Sequence, residues 1–242
     1  MRWLFPARAP EQAFTAEQKL VANNSFAESA VAILDHTCIP DLQHPLGMIE
    51  SIYFDDARFS AFREKLAGDN LKRKVRIRWY REEPTLGHAE TVAFLEVKDR
   101  IGAGRKKDRF PFAVALDWLA ETGLHDPALT HLLYRQAGAA GVSLPPDLAA
   151  TASIRYRRRR WVCPLTAARL CLDTQICATR FNRDLLPFGA CHELTSVVAE
   201  VKSSDRSRGN WAAALVSAGF RSRSFSKYGT CMSCLSEGWV TA

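Results

Sequence analysis

The sequence predicts an α+β protein in which several β-strands each carry one apolar face and one charged face. In residues 74–80, the apolar Val75, Ile77 and Trp79 alternate with three cations and a tyrosine. Because successive side chains of a strand point to opposite sides of a sheet, the two sets lie on opposite faces. Four more segments repeat this alternation, and stretches with helical signals separate them.

The repetition matters more than any one strand. The four further segments are 94–100, 153–161, 169–176 and 198–202. Like charges on one strand face repel each other unless solvent or a bound anion screens them. A solvated outer face would explain one such strand. Five of them indicate charged faces that converge on a basic cavity with a few carboxylates, which is the composition of a polyphosphate and metal site.

The segment 153–161 is the most basic of the five. Alternation places Tyr156, Arg158 and Arg160 on one face, and it places Arg155, Arg157 and Arg159 on the other. Arginines that do not face a cavity are typical of a solvated or anion-attracting rim. We therefore expect Arg155, Arg157, Arg159 and Arg160 to form such a rim rather than to act in catalysis.

Turn and capping residues divide the rest of the chain. Short strands are expected at 17–21 and 49–55, and Ser25 and Asp56 have the residue types that cap helices. Pro84 and Gly87 predict a hairpin. The segment 102–107 lacks the spacing of a Walker A loop and predicts a basic turn, and 182–189 predicts a loop. The expected helices are 25–34, 57–66, 110–121, 128–139 and 206–218.

Length and charge limit the organisation and the partners. At 242 residues the sequence fits one domain, 1–242, in which 1–15 form a loose N-terminal arm. A net charge of +7 and a pI near 9.2 indicate an anionic partner, such as a nucleotide, a polyphosphate, a nucleic acid or a membrane surface. No apolar run approaches the ~20 residues that cross a bilayer, and no signal peptide is recognised. We expect a cytoplasmic protein without a membrane partner.

The seven cysteines are scattered and odd in number, which is typical of reduced thiols. Cys231 and Cys234 form a CxxC motif. A structural zinc site would need a second pair, which only Cys191 and His192 could supply. Two ordinary thiols in the C-terminal segment are the expected arrangement.

Eight short motifs follow one another along nearly the whole chain. They are Tyr53-Phe54-Asp55, Lys74-x-Arg76-x-Arg78, Phe94-Leu95-Glu96-Val97-Lys98, Lys107-x-Arg109, Tyr156-x-Arg158, Arg169-x-x-x-Asp173, Glu200-Val201-Lys202 and Ser226-Lys227-Tyr228. Each motif alone is weak, but their number and order are specific. In this order they resemble the VTC domain, the polyphosphate polymerase branch of the triphosphate tunnel metalloenzymes (the CYTH-like superfamily).

This resemblance implies a fold, a reaction and a cofactor. The fold would be a closed tunnel of eight antiparallel β-strands with helices packed outside it. The γ-phosphate of ATP would pass to phosphate or to growing inorganic polyphosphate, with Mn²⁺ or Mg²⁺ as the divalent metal. Such a transfer needs in-line positioning and neutralisation of charge, which arginine, lysine and a metal-binding carboxylate supply.

The resemblance also assigns roles to residues. Glu200 would hold the metal, and Glu96 or Asp173 is the candidate for a second carboxylate, because hard cations prefer carboxylate oxygens. The residues implied to act in catalysis are Arg76, Arg78, Lys98, Arg158, Arg169 and Glu200. Those implied to bind phosphate are Lys19, Lys74, Ser226 and Lys227.

Two carboxylates have a second explanation. Glu96 would pair with Lys98 or Arg76 across strands. Asp173 would form a salt bridge with Arg169 or with a neighbouring strand.

The sequence leaves two other functions open. A tunnel triphosphatase would hydrolyse inorganic triphosphate, a nucleoside triphosphate or an RNA 5′-triphosphate. Such relatives usually carry an ExExK first strand, whereas Glu17-Gln18-Lys19 has one glutamate. A non-catalytic polyphosphate-binding module would lack the metal carboxylate, but Glu200 is present. No motif for sequence-specific reading of nucleic acid is found.

Overall fold

A computed structural model describes residues 16–67, 71–81, 90–102, 104–187, 189–203 and 209–236. The strands are β1 Ala16–Asn23, β2 Ile39–Pro40, β3 Leu46–Asp55, β4 Leu71–Arg81, β5 Glu90–Ile101, β6 Gly104–Ala115, β7 Ala149–Val162, β8 Arg169–Phe181, β9 His192–Glu193, β10 Ser196–Ser203 and β11 Arg221–Ser222. The helices are α1 Ala27–Thr37, α2 Ser60–Ala67, α3 Leu116–Glu121, α4 Pro127–Ala139, α5 Asn210–Ser217 and α6 Lys227–Ser236, and a 3-10 turn spans Asn24–Phe26. Within these residues, no helix is long and apolar enough to span a bilayer.

The strands form one antiparallel sheet in the order β11-β1-β10-β8-β7-β3-β4-β5-β6, with β2 and β9 added beside β7 and β8. The prediction of a closed tunnel of eight strands is wrong. The sheet has 11 strands, because two-residue strands supplement the eight long ones, and its described edges do not pair with each other. Closure would need β1 to pair with β6, but the outer edge of β1 is taken by β11 through Leu20–Ser222 and Val21–Arg221.

The alternation read from the sequence separates the outer core from the concave face. In β4, Val75, Ile77 and Trp79 are at most 2% exposed and pack with Leu119 of α3 and Leu129 of α4. A second outer cluster joins α1 and α5 to β1, β10, β8 and the end of β7. Helices therefore cover the apolar side of the sheet in two groups, as predicted, and the charged side chains are left on the inner side.

Two expected helices begin later than predicted. Ser25 does not cap α1, because its own backbone N–H donates to the side chain of Asn23, which caps the 3-10 turn instead. The helix expected at 57–66 begins at Ser60, whose N–H donates to Asp56 Oδ1. Asp56 thus accepts a hydrogen bond from the first residue of α2, although it lies four positions before that residue.

The helix expected at 110–121 is wrong in its first half, because β6 continues to Ala115, and is confirmed in its second half as the short α3. Phe110, Phe112 and Val114 pair with alternate residues of β5, and this long-range pairing overrides the local pattern. The helix expected at 128–139 is confirmed as α4. Of the helix expected at 206–218, residues 206–208 lie outside the described residues and Asn210–Ser217 form α5. The hairpin at Pro84 and Gly87 and the arm at 1–15 lie outside the described residues.

Candidate active site

The concave face of the sheet encloses a cavity of about 1480 Å³, lined by residues of all eight long strands and of the segment 222–227. Fifteen lysines and arginines but only six acidic residues line it. The whole chain contains 33 basic and 26 acidic residues. The excess of positive charge is therefore at least as large in the cavity as in the entire chain, which favours a polyanionic ligand.

Glu96 of β5 is the centre of one wall of the cavity. Its side chain is 1% exposed, and its Oε2 accepts a hydrogen bond from Arg76 Nε at 2.8 Å and lies 3.7 Å from Arg78. Its Oε1 lies 3.4 Å from Lys107 and 3.5 Å from Arg109. Burial raises the pKa of Glu96, but the nearby cations outweigh it and hold that pKa well below its usual range. We call these five residues the Glu96 cluster, and they favour charge pairing over metal binding for Glu96.

The opposite wall holds two carboxylates in different surroundings. Asp173 of β8 is fully buried and contacts both Arg158 of β7 and Lys227 of α6. Glu200 of β10 is 14% exposed, lies 3.5 Å from Arg158 and 3.6 Å from Lys202, and accepts no hydrogen bond from the described residues. Burial raises the pKa of each carboxyl, but Arg158 and Lys227 outweigh it and lower both pKa values. Asp173 is thus neutralised by its partners, one of them on a neighbouring strand, whereas Glu200 faces the cavity.

Lys98 of β5 lies between the two walls. In the part of the chain that the structure describes, its ammonium group forms no hydrogen bond or ion pair, and solvent reaches it through the cavity. Enclosure in the cavity and the charge of Arg76, with a smaller effect of Arg78, lower the pKa of Lys98 to about 7, although Glu200 and Glu96 oppose this. The charge of Lys98 is therefore only partly present near pH 7 in the free protein, and a nearby anion favours its protonated form.

We expect triphosphate binding to raise the pKa of Lys98 and hence to take up a proton above pH 7. The affinity should then fall with pH above about 7, by up to about tenfold per unit for one coupled proton. For the stability of the free protein, we expect a pH dependence of the opposite sign. Charged Lys98 opposes folding, so its contribution to the free energy of unfolding rises with pH between about 7 and 10.5.

Calorimetric titration in buffers of different ionisation enthalpy measures this proton uptake. Lys98→Met is the matched variant, because it keeps the aliphatic stem but cannot titrate. The ionisation of triphosphate itself is common to both proteins and cancels in the comparison. Equal proton uptake by the wild-type protein and the variant would contradict the assignment.

The segment 223–227 bridges the cavity walls that the sheet does not join. Lys19 of β1 donates to the carbonyl oxygen of Phe225 at 2.9 Å, and Lys74 of β4 donates to Ser226 Oγ at 2.8 Å. Ser226 Oγ also accepts the N–H of Gly229, so it caps α6. Cations from two distant strands therefore hold the start of α6 at the cavity, although the sheet itself is not closed.

Helix α6 fills the apolar part of the concave face, which the sequence analysis did not predict. Tyr228, Cys231, Met232 and Leu235 are each at most 2% exposed and pack against the inner side of β3, β7 and β8. Tyr228 stacks on the ring of Tyr53 at 4.9 Å. The spacing of these four residues is that of an amphipathic helix and was the available signal.

The environment of Cys231 also bears on the CxxC motif. Burial raises the pKa of Cys231 to about 12. Among the described residues, no group of three or more His, Cys, Asp or Glu could hold a metal ion. The structure thus places Cys231 in a packing contact.

All eleven residues assigned from the sequence line this one cavity. They are Lys19, Lys74, Arg76, Arg78, Glu96, Lys98, Arg158, Arg169, Glu200, Ser226 and Lys227. Their individual roles stay predictions. The sequence analysis did not assign Lys107, Arg109 and Lys202 to the site, although all three line the cavity. Lys107 and Arg109 of β6 pair in register with Lys98 and Glu96 of β5, and Lys202 lies two positions after Glu200 on β10.

Glu200 is the carboxylate that fits a divalent metal. The Glu96 cluster surrounds Glu96 with four cations, and Asp173 is held by Arg158 and Lys227. Mg²⁺ commonly uses one or two carboxylates together with substrate phosphates and water. Of these three carboxylates, only Glu200 accepts no hydrogen bond from the described residues, and one carboxylate is sufficient for a metal that arrives with a phosphate ligand.

Comparison with known proteins adds a family and a few distant structures. Residues 14–236 match the model of the VTC domain. No curated protein matches the chain. Similar solved structures include a "putative adenylate cyclase" from Bacillus halodurans, with 12% identity, 83% coverage of each chain and a TM-score of 0.45. Another of the same description, from Vibrio parahaemolyticus, has 10% identity, covers 90% of this chain and 97% of that chain, and has a TM-score of 0.44.

At these values the structural similarities indicate neither an activity nor a ligand. The family match is different, because it covers most of the chain and includes every residue that lines the charged cavity. The chain therefore belongs to the VTC domain family.

Proposed function

We propose that the protein is a polyphosphate polymerase, which transfers the γ-phosphate of ATP to phosphate or inorganic polyphosphate inside the charged cavity. The observation that carries the proposal is the combination of fifteen lysines and arginines around one cavity with Glu200, a carboxylate on its wall. Membership of the VTC domain family supports the same substrate class. A chain of phosphates is the ligand whose charge repeats along its length as the cavity cations do.

The arginines and the lysine in the cavity would contribute to phosphate binding and transfer in different ways. Arg76 and Arg78 project from one wall and Arg158 from the other, and a guanidinium group can hold two phosphate oxygens at once. Lys98 lies between them and supplies a compact charge. Together they would neutralise the charge on the transferred phosphoryl group, which is the main requirement of this reaction.

The proposed step balances without a protein nucleophile. A terminal oxygen of the acceptor phosphate attacks the γ-phosphorus of ATP and forms a new P–O bond. The bond between the γ-phosphorus and the bridging oxygen breaks, and ADP leaves with the electron pair. The cations of the cavity stabilise the charge on both oxygens, so no Ser, Cys or His is needed as nucleophile.

Glu200 would hold the divalent metal through its carboxylate. A bound Mn²⁺ or Mg²⁺ supplies positive charge to the phosphate oxygens and helps to align them. The protein contributes the fixed position of Glu200 on β10, where β1 and β8 flank it on both sides.

Glu200→Gln should raise the Mn²⁺ concentration needed for half-maximal turnover by on the order of tenfold or more, as expected for loss of a metal-binding group. The fold should persist, because Arg158 keeps its partner Asp173. The measurement is initial rate against Mn²⁺ concentration, with thermal melts of both proteins. An unchanged metal dependence would place the metal elsewhere.

The proposed reaction is tested by incubating the pure protein with γ-labelled ATP and Mn²⁺. A polymerase gives ADP together with a ladder of acid-stable, labelled polyphosphate. ADP with labelled orthophosphate alone would identify a triphosphatase instead. Absence of any ADP would leave a binding module and contradict the proposal.

A further inference from the structure

The outer face of β7 carries a strip that neither group of helices covers. Near the start of β7, Ala150 belongs to the cluster packed by α3 and α4, and near its end, Trp161 belongs to the cluster packed by α1 and α5. Between them, the outward Ser153 is buried against Glu50, and the outward positions that follow it are Arg155, Arg157 and Arg159. We call these three arginines the outer row.

The outward direction of the outer row follows from its neighbours. Arg158 points into the cavity, where it pairs with Asp173, and Trp161 points outward, where its Nε1–H donates to Asp35 of α1 at 2.8 Å. Strand alternation therefore directs residues 155, 157 and 159 to the outer face. Alternate residues of a strand are roughly 6.6 Å apart, so the row is a regular line of cations.

Glu50 of β3 and Glu193 of β9 flank Arg155, but neither forms an ion pair with the outer row in the described part of the chain. In the described part of the chain, none of its three guanidinium groups forms a hydrogen bond or an ion pair, although Arg155 is exposed and the other two are half-buried. The acidic neighbour on β3, Glu50, is 5% exposed and already held by Arg81 at 3.6 Å and by Ser153. Unscreened cations in a line attract a linear polyanion.

The outer row also reaches one end of the cavity. β7 and β10 end, and β1 and β8 begin, at the same end of the sheet, where Glu17 pairs in register with Lys202, and Lys202 with Arg169. All three line the cavity, as does Arg160, the residue after the last member of the row. Cavity cations and outer cations are thus consecutive along β7.

We propose that the outer row binds the part of a long polyphosphate chain that has left the cavity at this end. This inference rests on the proposed function and extends it, because it assigns to the outer face a site for the growing product. Charge complementarity and continuity with the cavity argue for polyphosphate. A single-stranded nucleic acid would be expected to use aromatic side chains for base stacking, and the outward positions of the row are arginines alone.

The test compares a long polyphosphate with inorganic triphosphate, which is short enough to occupy the cavity alone. The variant carries Arg155→Gln, Arg157→Gln and Arg159→Gln. A matched control carries Arg58→Gln, Arg63→Gln and Arg135→Gln, three exposed arginines whose loss changes the net charge equally. A third protein, the lysine variant, carries Arg155→Lys, Arg157→Lys and Arg159→Lys; it keeps the charge and reports whether the row tolerates substitution.

We expect the outer-row variant to bind long polyphosphate on the order of tenfold more weakly than the control, since several phosphate contacts are lost. Both should bind triphosphate as the wild-type protein does, and the lysine variant should recover most of the long-chain affinity. Equal affinities of the outer-row variant and the control for long polyphosphate would overturn the inference, and so would poly-uridylate that binds the row as tightly as polyphosphate.

A failure of the proposed function would give a different binding result from a failure of this inference. If the wild-type protein bound no triphosphate, the cavity assignment would fall, and this inference with it. If triphosphate binding is intact and only the long-chain effect is missing, the outer row alone is refuted.

Discussion

Replacing Arg78 with alanine is expected to lower turnover with ATP by a factor on the order of a hundred or more, as for removal of a charge that stabilises a transition state. Arg78 lines the cavity and is 7% exposed. Its guanidinium donates to Ser51 Oγ at 3.0 Å and lies 3.7 Å from Glu96, so it is only weakly committed to protein partners. It is therefore free to hold phosphate.

The stability of Arg78→Ala should stay close to that of the wild-type protein. Loss of one hydrogen bond costs about 0.5–1.5 kcal/mol. Removal of repulsion from Arg76 and Lys98 offsets part of this. Thermal melts and initial rates on the same preparations separate the two effects.

Ile77→Ala and Arg135→Ala are the controls. Ile77 is 0% exposed in the outer core, so its truncation should cost about 2–5 kcal/mol, while the folded fraction remains active. Arg135 is exposed on α4, away from the cavity, and its replacement should change neither quantity. Normal turnover in Arg78→Ala would contradict the placement of phosphate against this wall.

Glu96→Gln is expected to destabilise the free protein by about 3–5 kcal/mol, the effect of removing one side of a buried charge network. Four cations surround Glu96 at 3.7 Å or less, and the amide cannot neutralise them. Bound triphosphate should recover part of the loss, because it supplies negative charge to the same cations. Urea unfolding with and without triphosphate measures both effects.

The pH dependence of Glu96 has a defined sign. Since its pKa is lowered in the folded protein, its contribution to stability is present above its ordinary pKa of 4.5 and is lost as pH falls below that value. Glu96→Gln should therefore lose less stability on acidification than the wild-type protein. Glu28→Gln, an exposed position on α1, controls for net charge. Equal stability of Glu96→Gln and Glu28→Gln would show that the cluster needs no central anion.

Much of the site could be predicted because strand alternation is a local signal. Once Val75, Ile77 and Trp79 are assigned to the core, Lys74, Arg76 and Arg78 must lie on the other face. The same step placed Glu96 with Lys98, and Glu200 with Lys202. Each pair lines the cavity in the structure.

The remainder depends on contacts between distant parts of the chain. The partner choices of Glu96 and Asp173 follow from the strand order and register, which alternation does not determine. The extension of β6 to Ala115 follows from pairing with β5. Helix α6 is stabilised by the concave face against which it packs, so its position could not be derived from a local pattern. The pairing of β11 with the edge of β1 is likewise a long-range contact, so the open sheet could not be derived either.

The central claim is that the cavity cations bind a chain of phosphates, and calorimetric titration of inorganic triphosphate at increasing salt tests it most directly. The account predicts binding at low salt, with an affinity that falls on the order of tenfold between about 50 and about 200 mM KCl, because each phosphate contact is screened. Arg78→Ala should bind more weakly and show a shallower salt dependence. Absence of binding at low salt, or an affinity that salt does not change, would contradict the account.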